Sequence, residues 1–178
     1  MSRRQPLPRL WLMTDERQGE KLWEALERLP RWSGMVFRHY GLAGEARRSL
    51  FGDVRRVARR RDLLLLLAGT DAQALEWGAD GGHGRGPRSS PGRLRSAPAH
   101  DLAEIRAAER AGADFVFLSP VYATRSHPGA NPLGPRMFAR LALATRLPVI
   151  ALGGMDERKA RNLRGAYGWA GIDAWTAS

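Results

Sequence analysis

One alternation constrains this chain more than any other feature. Short apolar runs are each followed by a segment whose apolar residues recur at helical spacing, and the pair repeats along the sequence. Leu10–Met13 leads into Glu20–Leu29, where Leu22, Trp23, Leu26 and Leu29 share a face. Gly34–Arg38 is followed by Ala43–Arg61, and Leu63–Leu67 by the short Asp71–Trp77. Gly78–His83 is the weakest run. Gly84–Pro98, rich in Gly, Pro, Ser and Arg, predicts irregular chain over Gly84–Arg93 and a brief strand near Arg93–Ser96. Asp101–Ala111 reads as an amphipathic helix that His100 or Asp101 can cap. Asp114–Leu118, a helix over Pro135–Thr145, then Pro148–Leu152 come next. A helix from Asp156 through Arg164 and a final run over Trp169–Thr176 complete the series.

Successive parallel strands need a crossover helix to return the chain to the same end of the sheet. Eight runs therefore predict an α/β fold, a compact (β/α)8 TIM barrel formed as one domain over residues 1–178. The chain is shorter than the roughly 200 residues usual for that fold. The shortage has a place: there is little room for a fourth helix and none for an eighth. A six- or seven-stranded open sheet is the alternative.

The chain carries 29 Lys+Arg against 18 Asp+Glu, a net charge of +11. All the basic residues except Lys21 and Lys159 are arginine, and a solvated helix face accounts for the one dense run, Arg55–Arg61. No helix-turn-helix, RNP-type motif or interleaved aromatic pattern accompanies them, so specific nucleic-acid binding is not expected. The charge favours anionic small molecules instead. Absence of cysteine removes disulfides, thiolate metal sites and Cys nucleophiles together. The longest apolar stretch, Leu63–Ala68, is far short of the roughly 20 residues of a membrane span. The N-terminal residues lack a signal-peptide core. The expectation is a cytoplasmic protein without a membrane partner, with a homo-oligomer left open.

In a βα barrel, ligands meet the loops that follow the C-terminal strand ends. Ser119–Gly134 holds Thr124, Arg125, Ser126 and His127 among Gly and Pro, and its hydroxyl and guanidinium donors suit phosphate oxygens. A polar surface loop is the plain alternative, although irregular loops of this length are uncommon in compact domains and often functional. In Ala151–Asp156 a strand passes through Gly153 and Gly154 into a helix, where backbone N–H groups can meet an anion. A tight turn uses the same residues. Barrel phosphate sites draw on the loops after strands seven and eight, which pairs these glycines with Trp175 and Thr176. Trp175 either stacks on a ligand ring or packs against neighbours, and the other five Trp read as core or interface. His83 reads as structural and His100 as a helix N-terminal residue. His127, in the anion loop, serves either as a neutral hydrogen-bonding group or as a cation near phosphate.

Over Ala99–Thr176 the residues resemble the thiamine phosphate synthase / thiazole tautomerase superfamily. SPVYATRSH is similar to the family's strand-six motif GPV-(F/Y)-PT-x-TK, and PVIALGGM to P-V-x-A-I-G-G-I. GADGGH resembles GADGVH, and MVFRHY stands where the family has a motif like QLREK. The resemblance implies a TIM barrel and a synthase that joins a pyrimidine methyl pyrophosphate to a thiazole phosphate, releasing pyrophosphate held by Mg²⁺. It assigns Arg38 and His127 to the pyrophosphate as catalytic charges. Thr124, Ser126 and His127 match the Thr, Thr and Lys of the strand-six loop, with Arg125 beside them. Gly153, Gly154, Trp175 and Thr176 fall at the thiazole-phosphate positions.

The chain also departs from that pattern. Ala68-Gly69 replaces the Asn-Asp that supplies a Mg²⁺ ligand after strand three, and an ungapped alignment puts Arg88 at a second Asp ligand. Tyr40 stands near the family's strand-two lysine, Pro98 at its strand-five serine, and Pro120 at the tautomerase histidine. Asp71 and Asp80 are close in sequence but out of register. No metal ligand is therefore predicted, although Mg²⁺ is the family's cofactor. Two functions follow: synthase-type transfer in thiamine biosynthesis, or a catalytically degenerate member that binds a phosphorylated ligand or partner without turnover.

Overall fold

Trp11 and Leu12 are neighbours in β1 (Leu10–Met13) and face opposite ways, and this period of two organises the whole molecule. Trp11 packs inside a ring of strands with Val36, Leu66, Phe115, Phe117, Ile150 and Ala170. Leu12 packs outside, against Leu22, Leu26, Met35 and Phe37. In the computed structural model, which describes residues 6–88, 92–124, 129 and 131–175, the strands are all parallel and follow chain order around a closed barrel. After β1 come β2 (Gly34–Phe37), β3 (Leu64–Ala68), β4 (Gly81–His83) and β5 (Leu94–Ala99). β6 (Phe115–Leu118), β7 (Val149–Ala151) and β8 (Gly168–Gly171) complete it. Closure is made by β8 on β1, with Trp11 opposite Ala170. The eight-stranded expectation holds, and the open sheet does not.

Among the described residues six α-helices cover the outside: α1 (Lys21–Arg28), α2 (Gly44–Arg60), α3 (Asp71–Trp77), α4 (Leu102–Arg110), α5 (Gly134–Leu143) and α6 (Glu157–Arg161). Thr70, Asp101 and Asp156 cap α3, α4 and α6 by accepting backbone N–H groups of the first turn. Inside the barrel, Trp11 lies 5.0 Å from Phe115 and 5.3 Å from Phe117, ring centroid to centroid. A Cβ at Gly34 would run into the Trp11 ring, so β2 starts on the one residue that clears it.

Three strand boundaries differ from expectation. β4 is shorter, because Gly78 takes a left-handed cap on α3 and the Asp80 carboxylate accepts the Leu65 N–H at 2.8 Å. β5 is longer and runs through Ala99. β8 stops at Gly171, and Asp173–Trp175 forms a 3-10 turn rather than more strand.

The missing helices fall where the sequence put them. No helix appears among the described residues between β4 and β5, and only the 3-10 turn of Asp173–Trp175 follows β8 through residue 175. A buried ion pair covers part of the bare β4–β5 flank. Arg95, 3% exposed, leaves β5 on its outer side and donates to Asp71 at 2.7 Å and to the Gly86 carbonyl at 2.9 Å. Any Cβ at Gly82 would lie 2.8 Å from both charged groups, so β4 needs glycine there. Among the described residues no helix is long and apolar enough to cross a membrane.

Candidate functional site

The residues just beyond the C-terminal strand ends enclose a cavity of about 270 Å³. Arg38 after β2, Ser119, Pro120, Ala123 and Thr124 after β6, Leu152 to Met155 after β7, and Ile172 and Asp173 after β8 line it, with His100 at the rim.

The β6 and β7 loops are built against each other. Val121 and Tyr122 donate their N–H groups to the Leu152 and Gly153 carbonyls at 2.9 and 3.0 Å, and Gly134 closes the loop base onto Val121 at 3.0 Å. Gly153 has φ +95° and Gly154 φ +60°. A Cβ on Gly153 would sit 2.7 Å from Pro120, and one on Gly154 would sit 2.9 Å from Tyr122 Cβ. Both glycines are thus required by the loop that crosses them, and both face the cavity. Lys159 of α6 fixes the same turn, donating to the Gly154 carbonyl at 2.6 Å and pairing with Asp156 at 3.1 Å.

Arg38 enters from the opposite wall, with 17% of its side chain exposed. Its Nε donates to the Thr14 carbonyl at 2.8 Å and its Nη2 to Asp15 at 3.1 Å. Burial lowers its pKa and the Asp15 charge works against that shift, but a guanidinium keeps its proton in either case. Arg17 holds the Asp15 carboxyl below the usual range, at 2.7 Å. Thr14 is buried and hydrogen-bonds both the Arg38 N–H, at 3.0 Å, and His39 Nδ1, at 2.9 Å. Across the barrel, buried His83 pairs with Ser96 at 2.9 Å, and burial depresses its pKa to about 3. It is a neutral structural group, as the sequence suggested.

Arg38, Thr124, Gly153 and Gly154 therefore converge on one cavity. Arg125, Ser126, His127 and Thr176 lie outside the described residues. Trp175 is not a cavity residue: its ring stacks on Trp169 at 5.0 Å and its Nε1 reaches the Trp11 carbonyl at 3.3 Å, so packing takes the side chain. Two lining residues stand outside the site expected from sequence: His100, which reads there as a helix N-terminal residue, and Asp173, which falls in a stretch expected as strand.

The carboxylate positions tell a different story. Arg88 points away from the cavity: it bonds the Arg93 and Gly112 carbonyls and Asp114, all just ahead of β5 and β6 at the opposite end of the barrel. The register that puts Arg88 at a metal-ligand position is corrected by this geometry. Asp71 is consumed by Arg95, with side-chain exposures of 6% and 4%. Asp80 is spent on the Leu65 N–H at the N-terminal end of β3. Among the described residues no group of three or more His, Asp or Glu could hold a metal ion. The ends of β3 and β4 thus present no carboxylate to the Mg²⁺ that the resemblance implies, and Asp173 alone among the described lining residues is acidic, which is a poor fit for an ion that asks for carboxylate oxygens beside its phosphates.

An eight-stranded parallel barrel with its cavity at the C-terminal mouth defines the class, a compact α/β barrel of the TIM type. Residues 10–175 match the family described as thiamine monophosphate synthase, and the chain belongs to that family. It is 35% identical to the "Putative thiamine-phosphate synthase 2" of Aquifex aeolicus, over 93% of this chain and 96% of that one. It is 32% identical to the thiamine-phosphate synthase of Geobacillus thermodenitrificans over 75% of this chain and 66% of the relative. Among solved structures, thiamine phosphate pyrophosphorylase from Pyrococcus furiosus superposes with a TM-score of 0.75 at 26% identity. That match covers 94% of this chain and 86% of the other.

Proposed function

We propose that the cavity holds a phosphorylated heterocycle, the thiazole phosphate of the synthase reaction, with its phosphate at the Gly153–Gly154 turn and the pyrophosphate of the second substrate on the Arg38 side. The supporting observation is the meeting of two positive-φ glycines and a tethered guanidinium across one cavity. Backbone turns of this kind and arginine forks both suit phosphate oxygens. By resemblance, Thr124, Arg125, Ser126 and Thr176 add donors, and His127 supplies charge.

In the transferase reading, the thiazole nitrogen attacks the methylene carbon of the pyrimidine methyl pyrophosphate. The C–O bond breaks and pyrophosphate leaves with the bonding pair. Arg38 and His127 neutralise that departing charge, and no carboxylate-held metal takes part. A guanidinium supplies a less concentrated charge than a divalent ion, so this transfer is slow. The second reading, binding without turnover, is favoured by one observation: Asp71, the acid nearest the end of β3, is locked to Arg95.

A melting curve with thiazole phosphate tests the shared part. A ligand that binds only the native state raises the midpoint by mass action; inorganic pyrophosphate should do the same, and Arg38→Ala should reduce its shift. An unchanged midpoint at millimolar ligand contradicts the site. A coupled assay with both substrates separates the readings: slow, Mg²⁺-indifferent product formation supports transfer, and no product supports binding alone.

A further inference from the structure

Arg47 lies on α2 and does not line the cavity, yet it is the most elaborately housed cation near it. Its Nε and Nη2 donate to the Arg38 carbonyl at 3.2 and 2.8 Å, and Nη2 also reaches the Ala68 carbonyl at 2.7 Å. The rings of Phe37, Tyr40 and Trp77 surround the guanidinium, with centroids 5.7, 5.8 and 5.5 Å away. Taking a charge out of water is costly unless it is hydrogen-bonded, and here two carbonyls and three aromatic faces offset that cost. The fork thus ties the C-terminal ends of β2 and β3 to α2.

What it holds is a strained turn. His39, the residue after Arg38, has φ +34°, an unusual conformation for a non-glycine residue. Strain of this kind persists only where the surroundings over-determine it, and it clusters at functional sites. The turn is pinned from both sides. His39 stacks on Phe37 at 4.7 Å and bonds Thr14, which also takes the Arg38 N–H, while Arg47 takes the Arg38 carbonyl.

We propose that Arg47 is a positioning residue for Arg38: it holds the Arg38–His39 peptide in its left-handed turn, so that the Arg38 guanidinium stays aimed into the cavity. This rests on the reading of the cavity as an anion site. Arg47 acts through Arg38 rather than on the ligand, so its loss should matter only while Arg38 is present.

The test is a double-mutant cycle read by calorimetric titration of inorganic pyrophosphate in EDTA, at a temperature where melting curves show every variant folded. Arg47→Gln should weaken binding about tenfold, equivalent to about 1.4 kcal/mol. Added to Arg38→Ala, it should cause no further loss. Arg47→Lys keeps the charge without the fork and should lose as much as Arg47→Gln; if Arg47→Gln does not fold, this variant carries the cycle. Losses that multiply, or full rescue by Arg47→Lys, overturn the positioning role. Unaltered binding by Arg47→Gln while the unmodified chain binds pyrophosphate overturns it as well and leaves the anion site standing. If the unmodified chain does not bind at all, the anion-site reading falls and Arg47's role falls with it.

Discussion

The two sides of the barrel mouth use glycine for different reasons. On the β6–β7 side, Gly153 has φ +95°, and Pro120 Cα and Cβ lie 2.7 Å from where a Cβ would be, on a proline ring fused to backbone that cannot retreat. On the β3 side, Gly69 has no positive φ, and the atom that crowds it at 2.7 Å is the amide tip of Gln73. The first glycine builds a cavity wall. The second marks only the absence of a carboxylate. The charges divide in the same way: Arg38 keeps part of its guanidinium toward the cavity, whereas Arg95 and Asp71 neutralise each other in the outer wall. What a mouth can bind thus depends on which polar groups the fold has already used.

The largest effect should come from breaking the pair in the wall. Asp71→Ala leaves Arg95 charged and buried without its carboxylate, which should cost about 3–5 kcal/mol in a denaturant titration. A cost below about 1 kcal/mol, the range of exposed pairs, would mean that water reaches this flank.

The glycine comparison comes next. Gly153→Ala should lose about 2 kcal/mol from backbone strain and contact with Pro120, and phosphate binding should weaken with it. Gly69→Ala should stay within about 0.5 kcal/mol, because a surface side chain can swing aside. Equal costs would erase the distinction between the two sides.

Acid sensitivity comes from His83 and is smaller when counted per pH unit. Its folded pKa of about 3 lies below the ordinary value of 6.5. The unfolded chain therefore binds the extra proton first, and stability is full above pH 6.5 and declines as pH falls toward 3. The decline contributed by one such group approaches about 1.4 kcal/mol per pH unit. His83→Gln should flatten the stability–pH curve in that window, and an unchanged slope would show that His83 is not the group responsible.

The smallest expected change is a null one. Gly69→Asp restores a carboxylate next to the β3 end, but Arg47 already donates to the Ala68 carbonyl there. A single carboxylate near a guanidinium should give no measurable heat with Mg²⁺. Clear Mg²⁺ binding by this variant would make the loss at position 69 the sole reason for the missing metal site.

Sequence periodicity carried most of the fold. Among the described residues each strand and each α-helix overlaps a segment expected from sequence, with β4, β5 and β8 shifted at their ends, because each strand and helix must turn one apolar face to a neighbour. The errors sit where periodicity gives out. Arg88 was aligned by counting across a glycine- and proline-rich stretch with no regular element to fix its direction, and it faces the other end of the barrel. Trp175 was read as strand, yet stacking on Trp169 draws the chain into a turn. In the site, Arg38, Gly153 and Gly154 were legible from motif and strand end. The Arg95–Asp71 pair and the Arg47 clamp were not, since each joins residues about 20 positions apart through contacts that leave no local pattern.

The central claim is that this barrel keeps the anion-binding half of its mouth without the metal-binding half. Calorimetric titration of inorganic pyrophosphate into the unmodified chain, in EDTA and again with excess Mg²⁺, tests it most directly. The account predicts binding in EDTA with an affinity that Mg²⁺ changes by less than about threefold, or about 0.7 kcal/mol. Binding that appears only with Mg²⁺ would contradict it, and would point to Asp173, the acidic residue of the described lining, as a metal ligand.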